Sequence, residues 1–114
     1  ICKGNSCEIM EISTVRLLRP NVIQIEKGIL DQDLNDDEIL VETLVSAISP
    51  GTEISAYIGL PHLRQEVTYP RLLGYCNVGK ILEVGKGVLN FQSDDLILTN
   101  AAHCSHYKLK SQEV

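Results

Sequence analysis

Four side chains able to hold a metal lie in two short stretches, Cys76 in one and His103, Cys104 and His106 of the run HCSH in the other. Thiolate and imidazole suit zinc, which gathers four such ligands in a tetrahedron. The spacing argues against a site, because neighbours on an extended chain face opposite sides. The run Asn100 to His106 is therefore expected to be a polar turn, and no metal is assigned to the chain. The run Asp31 to Glu38, DQDLNDDE, holds five acids. A calcium loop of the EF-hand type needs Gly at its sixth position and Glu at its twelfth, and neither stands there. A solvated loop is expected instead.

The four cysteines are Cys2, Cys7, Cys76 and Cys104. Their even number permits two disulfides, but the spacings match no small secreted framework. Free thiols are expected, with Cys76 and Cys104 buried as small hydrophobes. His62 lies in a polar loop and is given no role. A dinucleotide site would need GxGxxG opening a helix. Gly79, Gly85 and Gly87 have the wrong spacing, and no helical pattern follows them.

The elements that must position these groups are mostly strands. Tyr69 to Ile97 carries Gly74, Gly79, Gly85 and Gly87, with short runs of Val, Ile and Leu between them. Such pieces between glycine turns read as strands of a tightly bent sheet. A strand is expected at Asn77 to Val84, then a turn over Gly85-Lys86-Gly87. A connection through Phe91 follows, then a strand at Leu96 to Thr99. Upstream, Glu8 to Leu18 reads as a strand and Arg19-Pro20-Asn21 as a turn. Val22 starts a second extended run ending near Gly28. Ile39 to Ile48 is the clearest strand, with Ile39, Val41, Thr43, Val45 and Ala47 on one face. Pro50 stops its ladder, and a short helical turn capped by Thr52 or Ser49 is expected through Tyr57. Gly59 to Tyr69 is a loop, and Tyr107 to Leu109 a last short strand. Ile1 to Cys7 is expected to be a disordered or remnant segment, with the domain occupying 8–114.

The central stretch resembles the GroES-like N-terminal domain of the medium-chain dehydrogenase/reductase superfamily. In that family a strand GxxGxVxxVG is followed by GVxxFxxGDxV. Here Gly74-Tyr75-Cys76-Asn77-Val78-Gly79-Lys80-Ile81-Leu82-Glu83-Val84-Gly85 precedes Gly87-Val88, Phe91, Asp95 and Ile97. Asp94 replaces the usual Gly before the Asp, and Asp is among the few residues that visit the left-handed region at modest cost. Pro50-Gly51-Thr52-Glu53 with Tyr57 and Gly59 is similar to the family's CGTDxxxYxG segment. The match runs from about Asp37 to Leu109. It implies a mainly β, partly open GroES-like barrel with one or two short helices.

The resemblance also implies a chemistry. The metal-dependent branch places a Cys before the GTD segment and His-Glu after the glycine of the central strand. Pro50 and Tyr75-Cys76 stand there instead, and no cysteine cluster for a structural zinc exists. The chain is thus similar to the zinc-independent branch, in which NADPH or NADH reduces a carbonyl or an activated double bond. Without metal, hydrogen-bond donors must polarise the substrate. The matching positions hold Thr52, Tyr57 and Tyr75, against the plainer alternative of a cap and two packed tyrosines. In the family a C-terminal Rossmann domain follows and binds the cofactor. This chain is therefore expected to be a truncated or excised domain, inactive alone. The alternative is a non-catalytic GroES-like interaction domain; a co-chaperonin is weaker, because Gly59 to Tyr69 is polar. A small-molecule substrate and a Rossmann domain are the expected partners, and an oligomer is open.

Composition narrows the classes further. At 114 residues and 44% hydrophobic content the chain is one domain with its own core. The net charge is −5, and the ten basic residues are scattered. That excludes the electrostatic footprint of a nucleic-acid binder. No run of about eighteen apolar residues is present, so no membrane-spanning helix is expected. The first residues lack the order of a signal peptide, which favours the cytoplasm. A chain beginning at Ile1 is expected to have lost its true start.

Overall fold

The computed structural model describes residues 9–60 and 67–114. The expectations for Ile1 to Cys7, for His62 and for the charged middle of the Gly59 to Tyr69 loop lie outside the described residues. Among the described residues, seven strands and one α-helix follow in the order β1 (Ile9–Arg19), β2 (Val22–Asp31), β3 (Glu38–Ser46), α1 (Pro50–Ile58), β4 (Arg71–Leu72), β5 (Asn77–Val84), β6 (Leu96–Thr99) and β7 (His106–Lys110). A 3-10 turn at Ser111–Glu113 ends the chain.

The strands form two antiparallel sheets, ordered β2-β1-β4 and β6-β5-β3-β7. Neither closes into a complete barrel, which is the open, mainly β architecture expected. β5 and β6 have the expected bounds, and the turn over Gly85-Lys86-Gly87 lies between them. β1 and β2 form a hairpin across Pro20-Asn21, where Asn21 takes φ 66°. Asn reaches this left-handed region more readily than most side chains. β2 runs three residues past Gly28, because its partner β1 continues back to Ile9 and keeps its backbone groups paired.

β3 corrects the expected alternation. Ile39, Leu40 and Val41 are all buried, whereas Leu44 and Val45 are both exposed. The register with β5 shifts between Leu40 and Val41 and again between Thr43 and Val45. Each irregularity rotates the following side chains, so no single face stays apolar along the strand. The strand also stops at Ser46, and Ala47 and Ile48 lie beyond it.

Two apolar clusters hold the sheets. Ile39, Val41, Ile81, Val88 and Ile97 form the larger one, with Phe91 and Leu109 against it. Leu17, Ala56 and Leu73 form the smaller, with Val15 and Tyr57 against it. Ile39, Val41 and Ile81 are 0% exposed. Each such side chain contributes roughly 1.5–3 kcal/mol by leaving water.

The acidic run is not merely solvated. Gly85 N–H donates to the Glu38 carbonyl at 2.7 Å and Gly87 N–H to the Asp36 carbonyl at 2.8 Å. A Cβ on Gly85 would drive into the Asn35 carbonyl oxygen, so the glycine permits this close approach. Lys108 Nζ donates to the Asp33 carbonyl at 2.7 Å. The acids thus form a strap across the turn that follows β5.

Candidate functional site

The site grows from the first turn of α1. Ser49 holds the N-cap position in extended backbone, but no side-chain cap bond forms there, from Ser49 or from Thr52. Glu53 does the work instead: its Oε2 accepts the Ser49 N–H at 2.5 Å. A carboxylate in this place also faces the positive end of the helix. Pro50 begins the helix with its fixed φ and no N–H to leave unpaired.

The second oxygen of Glu53 reaches His103, with Oε1 to Nε2 at 2.5 Å. The two side chains are 11% and 13% exposed, so this pair is largely withdrawn from water. A carboxylate only accepts, which makes His103 Nε2 the donor. The other ring nitrogen, Nδ1, lies 2.6 Å from Ser46 Oγ at the end of β3. Glu53, His103 and Ser46 therefore form a carboxylate–imidazole–hydroxyl chain. His103 is held from the backbone too: its N–H donates to the Leu73 carbonyl at 2.8 Å and its carbonyl accepts from Val15 N–H at 3.0 Å. Gly74 makes room for the ring. Its φ is +97°, and a Cβ there would stand 2.7 Å from His103 Nε2.

Above the pair lies a cavity of about 670 Å³ between α1 and the β1–β2 turn, reached by both Glu53 and His103. The C-terminal end of α1 docks on that turn. Asn21 N–H donates to the Tyr57 carbonyl at 2.7 Å, and the Tyr57 hydroxyl donates to the Asn21 carbonyl at 3.1 Å. Gly59 closes the helix in the left-handed conformation at φ 78°, packed on Pro20.

The three residues singled out from sequence do not share one place. Tyr57 lines the cavity. Tyr75 is half-exposed and donates its hydroxyl to Ser49 Oγ at 2.6 Å. It is joined to the pair only through Ser49, whose backbone N–H serves Glu53, so the link positions groups and does not pass a proton. Thr52 is exposed on α1 and does not line the cavity.

Cys76 and Cys104 are free thiols, each half-buried. Burial pushes the Cys104 thiol above its ordinary range. Tyr107 is pushed up first by burial and further by Cys104, against the lowering effect of the Thr99 hydrogen bond. A buried polar network surrounds Tyr107: Asn77 Nδ2 donates to Thr43 Oγ1 at 2.9 Å, and Tyr107 meets Thr99 Oγ1 at 2.9 Å.

Among the described residues no three His, Cys, Asp or Glu side chains converge. His103 has both ring nitrogens engaged, and His106 turns to Ser105 Oγ and Glu42. Among the described residues no helix is long and apolar enough to cross a membrane.

Sequence reasoning missed Glu53 and Ser46 as site residues and treated His103 as a turn residue. Glu53 and His103 stand fifty positions apart in the chain. The one signal available was an acid in the first turn of a short helix.

No family model and no curated protein matches the sequence. Solved structures do. A mitochondrial 2-enoyl thioester reductase heterodimer from Candida tropicalis superposes with a TM-score of 0.75 at 18% identity, over 91% of this chain and 33% of that one. The Escherichia coli quinone oxidoreductase complexed with NADPH gives 0.67 at 19% identity, over 89% and 32%. A zinc-binding dehydrogenase, so described, from Sinorhizobium meliloti 1021 bound to NADP gives 0.69 at 16%, over 91% and 37%. The chain spans about a third of the length of these neighbours. At such identities the likeness is one of fold, and the chain has the fold of the GroES-like domain of medium-chain dehydrogenases/reductases.

Proposed function

We propose that this chain is the substrate-side domain of a zinc-independent, NAD(P)H-dependent oxidoreductase acting on a carbonyl or an activated double bond. The observation that carries the reading is the Glu53–His103 pair at the floor of an apolar cavity, in a fold shared with enzymes solved with NADP or NADPH. Another structural neighbour, Etr1p, at a TM-score of 0.75 and 18% identity, was solved with NADP and crotonyl-CoA, whose double bond is activated by its thioester.

A nicotinamide cofactor, bound by a Rossmann domain in a full-length protein, would supply the hydride. The residues described here line the substrate's apolar space and orient its oxygen. Tyr57 at the cavity wall can donate to a substrate oxygen. His103 carries a proton on Nε2, held in place by Glu53 and backed by Ser46. Its ring is fixed from both sides, which keeps its geometry constant through a turnover. Thr52 and Tyr75 remain candidates for polarising the substrate only if the absent part of the enzyme brings it over the N-terminus of α1.

The experiment is a titration of NADPH into the 114-residue chain and into the full-length protein, followed by NADPH oxidation with a ketone and an enal. Binding and turnover by the full-length protein alone are expected. Tight NADPH binding by the isolated chain, or no turnover by the full-length protein with either substrate, overturns the reading and leaves an interaction domain.

A further inference from the structure

We propose that the open edge of β6 pairs with the same edge of a second copy of this chain, joining two four-stranded sheets across a two-fold axis. Leu96 and Leu98 carry the inference. They are 66% and 63% exposed, whereas Ile97 and Thr99 on the other face are each 6% exposed. β6 ends its sheet, and among the described residues no strand pairs with its outer side.

The ladder with β5 shows which backbone groups are open. The register sets Asn77 opposite Thr99, Val78 opposite Leu98, Gly79 opposite Ile97 and Lys80 opposite Leu96. Just beyond it, the Ile81 N–H donates to the Asp95 carbonyl at 2.9 Å. Bonded and non-bonded pairs alternate along antiparallel strands, so the bonded pairs are Gly79–Ile97 and Asn77–Thr99. Leu96 and Leu98 belong to the non-bonded pairs, and their N–H and C=O groups point away from β5. A second β6 running antiparallel meets all of these groups in one register, with Leu96 opposite Leu98 of the second copy and Leu98 opposite its Leu96. Two bonded pairs of this kind make four backbone hydrogen bonds and bring the leucines together on the outer face. The neighbouring registers need Asp94, which is in the left-handed conformation at φ 76°, or Asn100, which lies past the end of the strand.

Charge separates this edge from the others. β7 carries Lys108 and Lys110, and β4 is two residues long. Lysines and shortness both protect an edge from pairing. β2 is longer, but every self-pairing centred on Ile25, Glu26, Lys27 or Gly28 sets Glu26 or Lys27 against its own kind or against an isoleucine. β6 holds no charge, and in the register above its flanking Asp95 falls opposite Thr99. One self-complementary surface thus serves both copies. The interface is small, so a dissociation constant on the order of 100 µM is expected. The pairing does not depend on the oxidoreductase reading.

The experiment follows solvent exchange of the backbone amides by NMR at about 1 mM and about 20 µM chain, with sedimentation equilibrium over the same range. A monomer–dimer equilibrium is expected, and the Leu96 and Leu98 amides should exchange at least about threefold more slowly at the higher concentration. Leu98→Pro removes the outward N–H and spares the ladder with β5, because proline is tolerated where a strand N–H faces solvent. It should leave a monomer throughout. Leu98→Lys keeps the backbone donor and charges an exposed position, so it should give the same result where the proline variant fails to fold. Ile25→Lys on β2 should leave this dimer unchanged. A monomer at every concentration, a dimer that survives Leu98→Lys, or one abolished by Ile25→Lys each overturns the proposal. In a full-length protein the same two amides should be protected with concentration. If the chain pairs and the full-length protein does not, the edge belongs to another part of that protein and the proposal falls.

Discussion

Asp94 shows how one residue can stand in for another at a backbone position. It takes φ 76°, in the turn that leads into β6, where the resembled family places glycine. Its N–H donates to the Ile81 carbonyl at 2.7 Å, so the turn is fully made. The left-handed conformation still costs a side chain roughly 1 kcal/mol. Its ion pair with Lys80 is 4.0 Å long, with Asp94 86% exposed, and offsets little. Asp94→Gly is expected to raise the midpoint of chemical denaturation by a stabilisation of up to about 1 kcal/mol. A loss of stability would mean the Asp side chain contributes something the backbone does not show. Cys104 and Tyr107 give a pH dependence at the same scale. Both are held above their ordinary values, so the folded state favours their neutral, protonated forms. The stability this provides is fully present below roughly pH 8, short of the unfolded thiol's range, and is lost as pH rises through the raised values. Thermal melts should therefore fall above that range. Cys104→Ala should flatten the first part of the decline, and an unchanged profile would place the cause elsewhere.

Among the elements, β2 carries a liability. It lies at the edge of its sheet, and Ile25 and Ile29 on it are 65% and 68% exposed. An apolar edge strand offers open backbone groups and a sticky surface to another chain. Ile25→Lys should reduce concentration-dependent light scattering and leave the melting temperature within about two degrees, as exposed substitutions usually do. A large drop in melting temperature would show that the strand packs against something in solution. The same element shows what pattern can and cannot say. Pro20-Asn21 between two extended runs was enough to place the hairpin, because turn chemistry is local. The exposure of both Ile25 and Ile29 was not legible, since it depends on which strands happen to cover β2. β3 taught the reverse lesson: its composition marked it as a strand, yet its two register shifts against β5 overrode strict alternation.

At the scale of the molecule, the two sheets are unequal. β3 and β5 are interior strands of the four-stranded sheet and carry Ile39, Val41 and Ile81 of the larger cluster. The hairpin is tied to the rest by fewer links, among them the Thr14–Cys104 bridge and the Ser105 N–H to Ser13 carbonyl bond at 2.8 Å. Amide hydrogen exchange should be slowest in β3 and β5 and, among strands, fastest in β2, because opening an edge exposes least core. Uniform protection across both sheets would indicate a single cooperative unit with no weaker hairpin.

Glycines, prolines and short branched runs by themselves determined the strands, the β5–β6 unit and its left-handed Asp94, since each follows from local φ preferences and a period of two residues. They also determined the resemblance that the fold bears out. Tertiary structure alone decided that Glu53, His103 and Ser46 meet. Those three come from a helix, a turn and a strand end, and only the packing of α1 and the end of β3 against the β6–β7 turn brings them within bonding distance. A long-range hydrogen bond between side chains leaves no period or spacing in the chain, so nothing in the order of residues announces it.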